Sequence, residues 1–289
     1  MNLRGGVLLG MIGIVAFSGT FPATKLAITG FDPFVVTAGR IVIAGTLGGV
    51  LLIVSRVRVP AWRDLAVLAV TGAGLAIGYP WFVALGLATA SSVHGAVVAG
   101  FAPSATAALA VIRNHERPPA MFWVGCIGAL IAVTAYVFAS GGGFGVADLY
   151  FVAAVVSTSI AYVEGSRLSH TLGADKTLSW ALLLMIPVVI VPLGIDLIKS
   201  PPHDVSPAAW GGFAWVSLIS MFLGAMAWYR GMQLGGTARI SQLLVLQPLV
   251  TIGISHVIVR EAVRPRDLVY ALAVIACVAI AIRSRAPEG

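Results

Sequence analysis

Ten apolar runs, joined by short loops, constrain this chain more than any other feature of its sequence. A helix needs about 20 apolar residues to cross the hydrocarbon core of a bilayer, and each run is close to that length. Only 10% of the residues are charged, too few to cover a water-soluble protein of this size. The pattern predicts an all-α polytopic membrane protein. Its ten predicted transmembrane helices are 5–26, 33–54, 64–88, 91–112, 119–139, 147–168, 177–198, 207–233, 237–259 and 266–283.

The positive charges predict how these helices are oriented. Eleven Lys and Arg residues fall on the side that holds both termini and five on the other, while Arg40 and Arg230 lie within spans. Cytoplasmic loops carry an excess of Lys and Arg, so both termini are predicted to be cytoplasmic. The basic residues are spread over many loops, and the net charge of +7 therefore does not indicate a nucleic-acid partner.

An internal repeat divides the chain into two predicted five-helix repeats, residues 1–140 and 145–289. Because five is odd, the second repeat enters the membrane from the opposite face, which gives two inverted repeats. Inverted repeats suit alternating access, so the pattern favours a secondary transporter. The residues that align when the sequence is shifted by 145 positions are Gly86 and Gly231, Pro103 and Pro248, Glu116 and Glu261, and Val133 and Val278.

Aromatic clusters in the equivalent third and eighth spans predict an apolar chamber near the middle of the membrane. Such rings bind aromatic or aliphatic side chains, or a delocalised cation over a ring face. The alternative is an aromatic belt at the membrane interface. With nearby polar groups, the predicted substrate-binding residues are Thr20, Thr24, Tyr79, Trp81, Phe82, His94, Phe101, Tyr162, Glu164, Trp228, Tyr229, Gln242 and Gln247.

Prolines and charges inside the spans are further candidates. Pro103 and Pro248 are related by the repeat, and kinks there are predicted to shape or gate the chamber because proline frees a backbone carbonyl within a helix. A tolerated bend without a role in gating is the alternative. A charge at the centre of a membrane helix costs about 2.5–3.5 kcal/mol on insertion scales. Arg40 and Glu164 therefore have either a structural partner or a functional role. We expect facilitated export or exchange, and proton coupling through Glu164 is the alternative.

The sequence lacks the motifs of several other protein classes. No Gly-Lys pair of a phosphate-binding loop occurs, and no cluster of residues has the spacing of metal ligands. We therefore expect no enzymatic activity and no metal site. Cys126 and Cys277 lie in apolar runs and are expected to be buried free thiols. A channel is the alternative to a transporter.

Short motifs in the first half have partial counterparts in the second. The first span contains the stretch 17–26, which reads FSGTFPATKL. Ala84-Leu85 precedes the fourth span, which contains the mid-helix Pro103. Glu116-Arg117 precedes the fifth span, whereas in the second half Glu261 is followed by alanine.

These motifs resemble those of the drug/metabolite transporter superfamily in its ten-helix form with two EamA-type repeats. The stretch 17–26 is similar to the family's Trp-Gly-x-x-Phe opening and following basic residue, although Phe17 and Ser18 replace the first two residues. Within the superfamily, the chain most resembles bacterial exporters of aromatic amino acids, which also pass some cationic toxicants.

The resemblance implies a secondary transporter in the bacterial inner membrane that exports amino acids by alternating access. Aromatic and hydrophobic amino acids are the favoured substrates, with related small metabolites or cationic toxicants as further ones. The alternative is a channel, or an exporter of a different small metabolite. We expect a monomer whose partners are the lipid bilayer and a small-molecule substrate, and the resemblance implies no cofactor.

Overall fold

The computed structural model describes residues 3–115, 117–140, 143–235, 240 and 242–284, and these residues contain helices and no β-strand. Nine of the described helices are long and apolar enough to cross a membrane. They are α1 (Arg4–Ala27), α2 (Pro33–Val54), α3 (Trp62–Thr89), α4 (Ser92–Arg113), α5 (Ala120–Ala139), α6 (Val146–Leu172), α7 (Ala174–Lys199), α8 (Pro207–Gly235) and, after one shorter helix, α10 (Pro265–Ser284).

The remaining apolar helix, α9, is shorter and runs over Leu243–Val259. The start predicted for it, near residue 237, lies outside the described residues. The predicted all-α polytopic membrane fold is confirmed. The loop between the sixth and seventh spans is shorter than predicted, because Gly173 alone separates α6 from α7 and its φ of 89° permits the sharp turn.

The equivalent helices α2 and α7 pack against each other in opposite directions. A Cβ atom on Gly45 would meet Leu182 and Ile186, whereas one on Gly48 would meet Ser179. Residue numbers thus rise along one helix as they fall along the other. A helix that is antiparallel to its own counterpart requires that the two repeats be inverted, as the sequence predicts.

The helices α5 and α10 are a second antiparallel pair of counterparts. Gly125 of α5 lies against Cys277 and Ala281, near the end of α10. At the other end of the pair, the Arg266 guanidinium donates a hydrogen bond of 2.7 Å to the carbonyl oxygen of Ala139. The inverted arrangement therefore holds for this pair of counterparts as well.

Two further helix contacts are equivalent to each other under the pseudo-two-fold symmetry that relates the inverted repeats. The helix α1 packs along α8, and their counterparts α6 and α3 pack along each other. Gly6 meets Gly235 in the first pair, and Gly86 meets Phe151 in the second. Small residues permit this close approach between membrane helices.

The same irregularities also recur in both repeats. The helices α3 and α8 contain π-helical segments at Ala73–Gly78 and Trp215–Gly224. The left-handed residues His115 (φ 55°) and Arg260 (φ 56°) lie 145 positions apart, at the ends of α4 and α9. The repeat is thus visible in backbone detail as well as in helix order.

The prolines predicted to act as gates lie where α4 and α9 are broken. In α4, the helix Ser92–Ala99 ends and a second one begins at Ala102, just before Pro103. In α9, a 3₁₀ segment ends at Leu246 and the α-helix begins at Gln247, just before Pro248. Proline lacks the amide hydrogen that would continue the preceding helix, which accounts for both breaks.

Candidate substrate-binding cavity

A central cavity of about 560 Å³ lies between the two repeats. Every described membrane helix except α5 contributes to its wall. Most of the wall is apolar, as is usual for small-molecule sites. The residues around it include Phe17, Thr20, Phe21, Arg40, Leu75, Tyr79, Pro103, Thr106, Thr158, Tyr162, Ser166, Leu178, Ser220, Met221, Tyr229, Gln247, Pro248 and Thr251.

The cavity opens toward the side of the bundle that holds both described ends of the chain, Arg4 and Ser284. We call this side the terminal side. The wall reaches Ser166 of α6 and Leu178 of α7, near the terminal-side ends of those helices. Tyr162, on the same part of the wall, is 49% exposed.

The other side of the bundle, which we call the opposite side, is closed by contacts between the repeats. The Glu261 carboxylate accepts hydrogen bonds from the backbone amides of Ser92 (2.9 Å) and Val93 (3.0 Å) at the start of α4. A carboxylate is well placed there because a helix N-terminus carries free amides and partial positive charge. These bonds hold the loop after α9 over the start of α4.

A lysine makes a further contact on the opposite side, within the first repeat. The Lys25 ammonium of α1 donates hydrogen bonds to the carbonyl oxygens of Leu87 and Ala90 at the end of α3, the latter at 2.8 Å. A cation is favoured at a helix C-terminus, where the last carbonyls lack intrahelical partners. This contact anchors α1 to α3 beyond the cavity.

Polar groups on the wall join the two repeats across their seam. The hydroxyls of Thr20 in α1 and Ser220 in α8 lie 2.6 Å apart. The Ser18 hydroxyl donates to the backbone carbonyl of Gln247 at 3.3 Å, which ties α1 to the break in α9. Thr20 and Gln247 are both predicted site residues, and both line the cavity.

Three predicted tyrosines also lie on the cavity wall. Tyr79 of α3, Tyr162 of α6 and Tyr229 of α8 present phenol rings to it, and they come from both repeats. Pro103 and Pro248 line it as well, so both predicted gating residues are adjacent to the space they are predicted to control.

The other predicted aromatic residues lie away from the wall. Trp81 packs edge-on against Phe34 at 5.3 Å, and Phe82 stacks with Tyr150 at 6.4 Å. Side chains on one face of a helix recur every three to four residues, and the cavity face of α3 carries Leu75 and Tyr79. Position 81 therefore points elsewhere, and the ring of Phe82, although one turn beyond Tyr79, lies against Tyr150 and not on the cavity wall.

Two more aromatic candidates are packed in the core. Trp228 lies behind Phe17, with its ring edge-on at 6.1 Å, and it is 6% exposed. Phe101 is partly buried at the break in α4 and packs against a core cluster that includes Val97 and Val274. Only Phe17 of these residues lines the cavity in the described structure.

The two titratable candidates have partners outside the central cavity. Glu164 pairs with Arg113 at 3.0 Å and with Arg167 at 3.7 Å, near the terminal-side end of α6. His94 lies 2.7 Å from the Asp148 carboxylate, in a smaller cavity on the opposite side. Neither side chain lines the central cavity of the described structure.

The last two predicted residues add no polar group to the described wall. Thr24 is buried one turn beyond Thr20, and its hydroxyl has no hydrogen-bond partner among the described residues. The side chain of Gln242 lies outside the described part of the structure. No group of three or more potential metal ligands occurs among the described residues.

The predicted set omits several residues of the wall, of which Arg40 is the most informative. It is the one charged residue on the described wall and is 5% exposed. Ser220 and Met221 of α8 are also missing from the set. A cation in the middle of an apolar run is the signal that marks Arg40 in the sequence, whereas Ser220 and Met221 resemble many other residues of the spans.

Comparison with known proteins adds the family. The model of the EamA-like transporter family matches the chain twice, at residues 4–138 and 145–283. The chain belongs to the EamA-like transporter family. Transporters of this kind move small molecules across membranes, so the central cavity of this EamA-family protein is a candidate substrate site.

Similar proteins agree with this assignment. The uncharacterized transporter YdeK of Bacillus subtilis (strain 168) is 39% identical over 279 residues, covering 96% of this chain and 97% of that protein. An uncharacterized transporter of Archaeoglobus fulgidus is 25% identical over 268 residues, covering 92% and 94% of the two chains. A solved crystal structure of a protein shares the fold, with a TM-score of 0.63, 20% identity and 96% coverage of both chains.

Proposed function

We propose that this EamA-family protein exports amino acids by alternating access, with aromatic and hydrophobic amino acids favoured. The observation that carries the proposal is the placement of the central cavity on the seam between inverted repeats, open on one side and closed on the other. If the repeats exchange conformations, the seam closes on the terminal side and opens on the opposite side.

The size and lining of the cavity support an amino acid as the substrate. Its volume of about 560 Å³ falls within the range of roughly 300–1,000 Å³ that is typical of small-molecule sites. The phenol rings of Tyr79, Tyr162 and Tyr229 offer flat apolar surfaces with polar edges. Thr20 and Gln247 add groups that can hydrogen-bond a polar head.

The proposed setting is the bacterial inner membrane, with both termini in the cytoplasm. The terminal side, toward which the cavity opens, would then face the cytoplasm, where an exporter loads its substrate. The excess of Lys and Arg on this side of the sequence supports the orientation. We propose that the transporter acts as a monomer, since both inverted repeats that enclose the cavity are parts of the same polypeptide.

The proposed mode of transport is facilitated export or exchange. A proton-coupled carrier would use a titrating acid next to the substrate, and Glu164 is engaged by two arginines away from the cavity. The other titratable residue of the predicted binding set, His94, is engaged by Asp148 on the opposite side.

Counterflow in proteoliposomes tests the proposal. Vesicles that contain the purified protein are loaded with unlabelled phenylalanine, and uptake of labelled phenylalanine is followed and compared with uptake into protein-free vesicles. A carrier gives saturable uptake that depends on the internal amino acid. Flux without saturation or exchange would indicate a channel. Exchange of other metabolites but of none of the twenty amino acids would overturn the substrate class.

A further inference from the structure

Arg40 lies deep in the membrane and has no acidic partner. It is the eighth residue of α2, about 10 Å along the helix from Pro33 at the opposite side. No carboxylate of the described residues lies within 4.0 Å of its guanidinium. A charge at this depth is costly unless it is paired or hydrated, and it usually marks a substrate or ion pathway.

The guanidinium of Arg40 retains most of its hydrogen-bonding capacity. Its Nε donates to the sulfur of Met221 at 3.3 Å, and thioether sulfur is a weak acceptor. Neither of its Nη nitrogens has a protein acceptor among the described residues, and both retain some accessible surface. Both nitrogens therefore border the open space of the cavity.

The surroundings of Arg40 select the charge of the ligand. Arg40 is the one charged residue on the described wall of the cavity, so its positive charge is not balanced there. None of the described acids near the cavity pairs with Arg40. Glu164 and Asp148 are paired elsewhere. Asp175, whose charge acts on Tyr229, lies in the first turn of α7 at the terminal side. A cationic substrate would meet repulsion without a compensating acid, whereas an anionic group would gain a charge-assisted contact.

We infer that Arg40 binds the carboxylate of the substrate, so that the protein transports apolar carboxylates and rejects cations that lack one. The planar guanidinium fork matches a carboxylate through two parallel hydrogen bonds. The aromatic wall near it would hold the apolar part of the same molecule. This inference rests on the proposed function and adds the chemical group that the site recognises.

Two kinds of molecule present this chemistry: zwitterionic amino acids and organic acids without an amine. A matched series separates them and tests the carboxylate directly. Phenylalanine, 3-phenylpropionate, phenylalaninamide and phenethylamine share one ring and differ in their carboxylate and amine. Each is added as a competitor of labelled phenylalanine counterflow, together with a quaternary ammonium cation. We expect competition by phenylalanine, and none by the amide, the amine or the quaternary cation.

The result for 3-phenylpropionate distinguishes zwitterionic amino acids from organic acids without an amine. Competition equal to that of phenylalanine shows that the carboxylate and ring suffice, whereas weaker competition shows that the amine is also recognised. Both results agree with the inference. Competition by phenethylamine or by the quaternary cation, at concentrations similar to that of phenylalanine, would overturn it.

Variants of Arg40 then test whether recognition of the carboxylate depends on this residue. Arg40→Gln should raise the KM for phenylalanine about 10- to 100-fold, because a hydrogen bond to a charged group is lost. Arg40→Lys keeps the charge without the planar fork, so its KM should lie between those of the wild type and Arg40→Gln. The matched control is Arg58→Gln, which removes one exposed positive charge from a loop. An unchanged KM in Arg40→Gln would overturn the inference while the proposed function stands.

A binding measurement distinguishes failure of the proposed function from failure of the inference about Arg40. Thermal unfolding of each detergent-solubilised variant is recorded without ligand and with 3-phenylpropionate, phenylalanine or phenethylamine. The ligand-free curve establishes that the variant is folded. We expect stabilisation of the wild type by the carboxylates alone, and its loss in Arg40→Gln. Stabilisation without transport would defeat the proposed function only, whereas stabilisation by carboxylates that survives in Arg40→Gln would defeat the inference.

Discussion

The hydroxyl of Thr20 lies 2.6 Å from that of Ser220, and this hydrogen bond joins the inverted repeats on the wall of the central cavity. Interhelical hydrogen bonds in membrane proteins contribute about 0.6 kcal/mol on average. We expect Thr20→Val and Ser220→Ala each to lower the free energy of unfolding by about that amount. The double variant should lose less than the sum of the two, because both changes remove the same bond.

Unfolding in mixed micelles measures this coupling. Thr46→Val is the matched control, since Thr46 is exposed on α2 and donates only to the carbonyl of Val42 in its own helix. Strict additivity of Thr20→Val and Ser220→Ala would show that the two hydroxyls are energetically independent.

Glu261 should determine how tightly the opposite side is closed. Glu261→Ala removes the acceptor of two amides at the start of α4, so we expect this side to open more often. The measurement is labelling of Ala96→Cys, which reports on the cavity wall, by a membrane-impermeant maleimide added from the opposite side. Both native cysteines are replaced beforehand, and labelling should be faster in the Glu261→Ala background.

Asp32→Ala is the control for Glu261. Asp32 accepts a hydrogen bond from the amide of Phe34 at the start of α2, in its own helix, and so caps a helix without joining the repeats. The Asp32→Ala substitution should leave the rate of maleimide labelling unchanged. Equal rates in the wild type and the Glu261→Ala protein would show that closure does not depend on this carboxylate.

Glu164 should not control the pH dependence of transport. Its carboxylate is bound to Arg113 and Arg167 near the terminal side, away from the cavity. We expect Glu164→Gln to leave the pH profile of counterflow unchanged and to cost at most about 1 kcal/mol of stability, as is typical of partly exposed ion pairs.

The comparison for Glu164 is Asp64→Asn, which removes a carboxylate from the first turn of α3 on the same side. If Glu164→Gln alone abolished a pH dependence seen in the wild type, Glu164 would be part of a proton pathway. Proton coupling would then replace the uncoupled mode proposed above.

Aromatic substitutions should separate the cavity wall from the packing behind it. Tyr162→Ala removes a ring that lines the cavity, and we expect it to raise the KM for phenylalanine about 5- to 10-fold, the equivalent of about 1 kcal/mol. Trp81→Ala removes a ring that packs against Phe34, and it should leave KM within about twofold, with its effect on stability instead.

The assay is concentration-dependent counterflow, with the amount of folded protein in the vesicles determined for each variant. The reverse pattern, a large change in KM for Trp81→Ala and none for Tyr162→Ala, would place the substrate outside the central cavity.

The contact between α1 and α8 should be intolerant of any added carbon. A Cβ atom on Gly6 would lie 2.5 Å from both the Cα and the N of Gly235, which are backbone atoms and cannot rotate away. Gly6→Ala should therefore lower the free energy of unfolding by about 1–3 kcal/mol. A Cβ on Gly194 in α7 would meet nothing within 4 Å, so Gly194→Ala should be neutral or stabilising.

Thermal unfolding of the two alanine variants is the measurement. Equal melting temperatures would show that α1 shifts to accommodate the methyl group, and that the close approach does not limit stability.

Much of the fold was predictable because each span is encoded locally. An apolar run marks a helix without reference to its neighbours, and the alignment of Pro103 with Pro248 predicts inverted repeats because five spans reverse the direction of the chain. The separation of α6 from α7 by Gly173 alone was not predicted, because the apolar runs fade several residues before the helices end.

The site was less predictable because it depends on which face of each helix points inward. Tyr79 and Trp81 belong to one aromatic cluster in the sequence, yet only Tyr79 faces the cavity. Because the apolar runs are hydrophobic all round, their sequence carries little information about the inward face. Arg40 shows that a rare charge in such a run is a better guide to the site than an aromatic cluster.

The π-helical segments of α3 and α8 have a consequence for the resting state of the carrier. If the two repeats were identical, exchanging their conformations would give two states of equal free energy. Any bias must come from positions at which the repeats differ, and the π-helical segment is six residues long in α3 and ten residues long in α8. This difference is thus one place where the chain can set which face of the membrane the empty carrier presents.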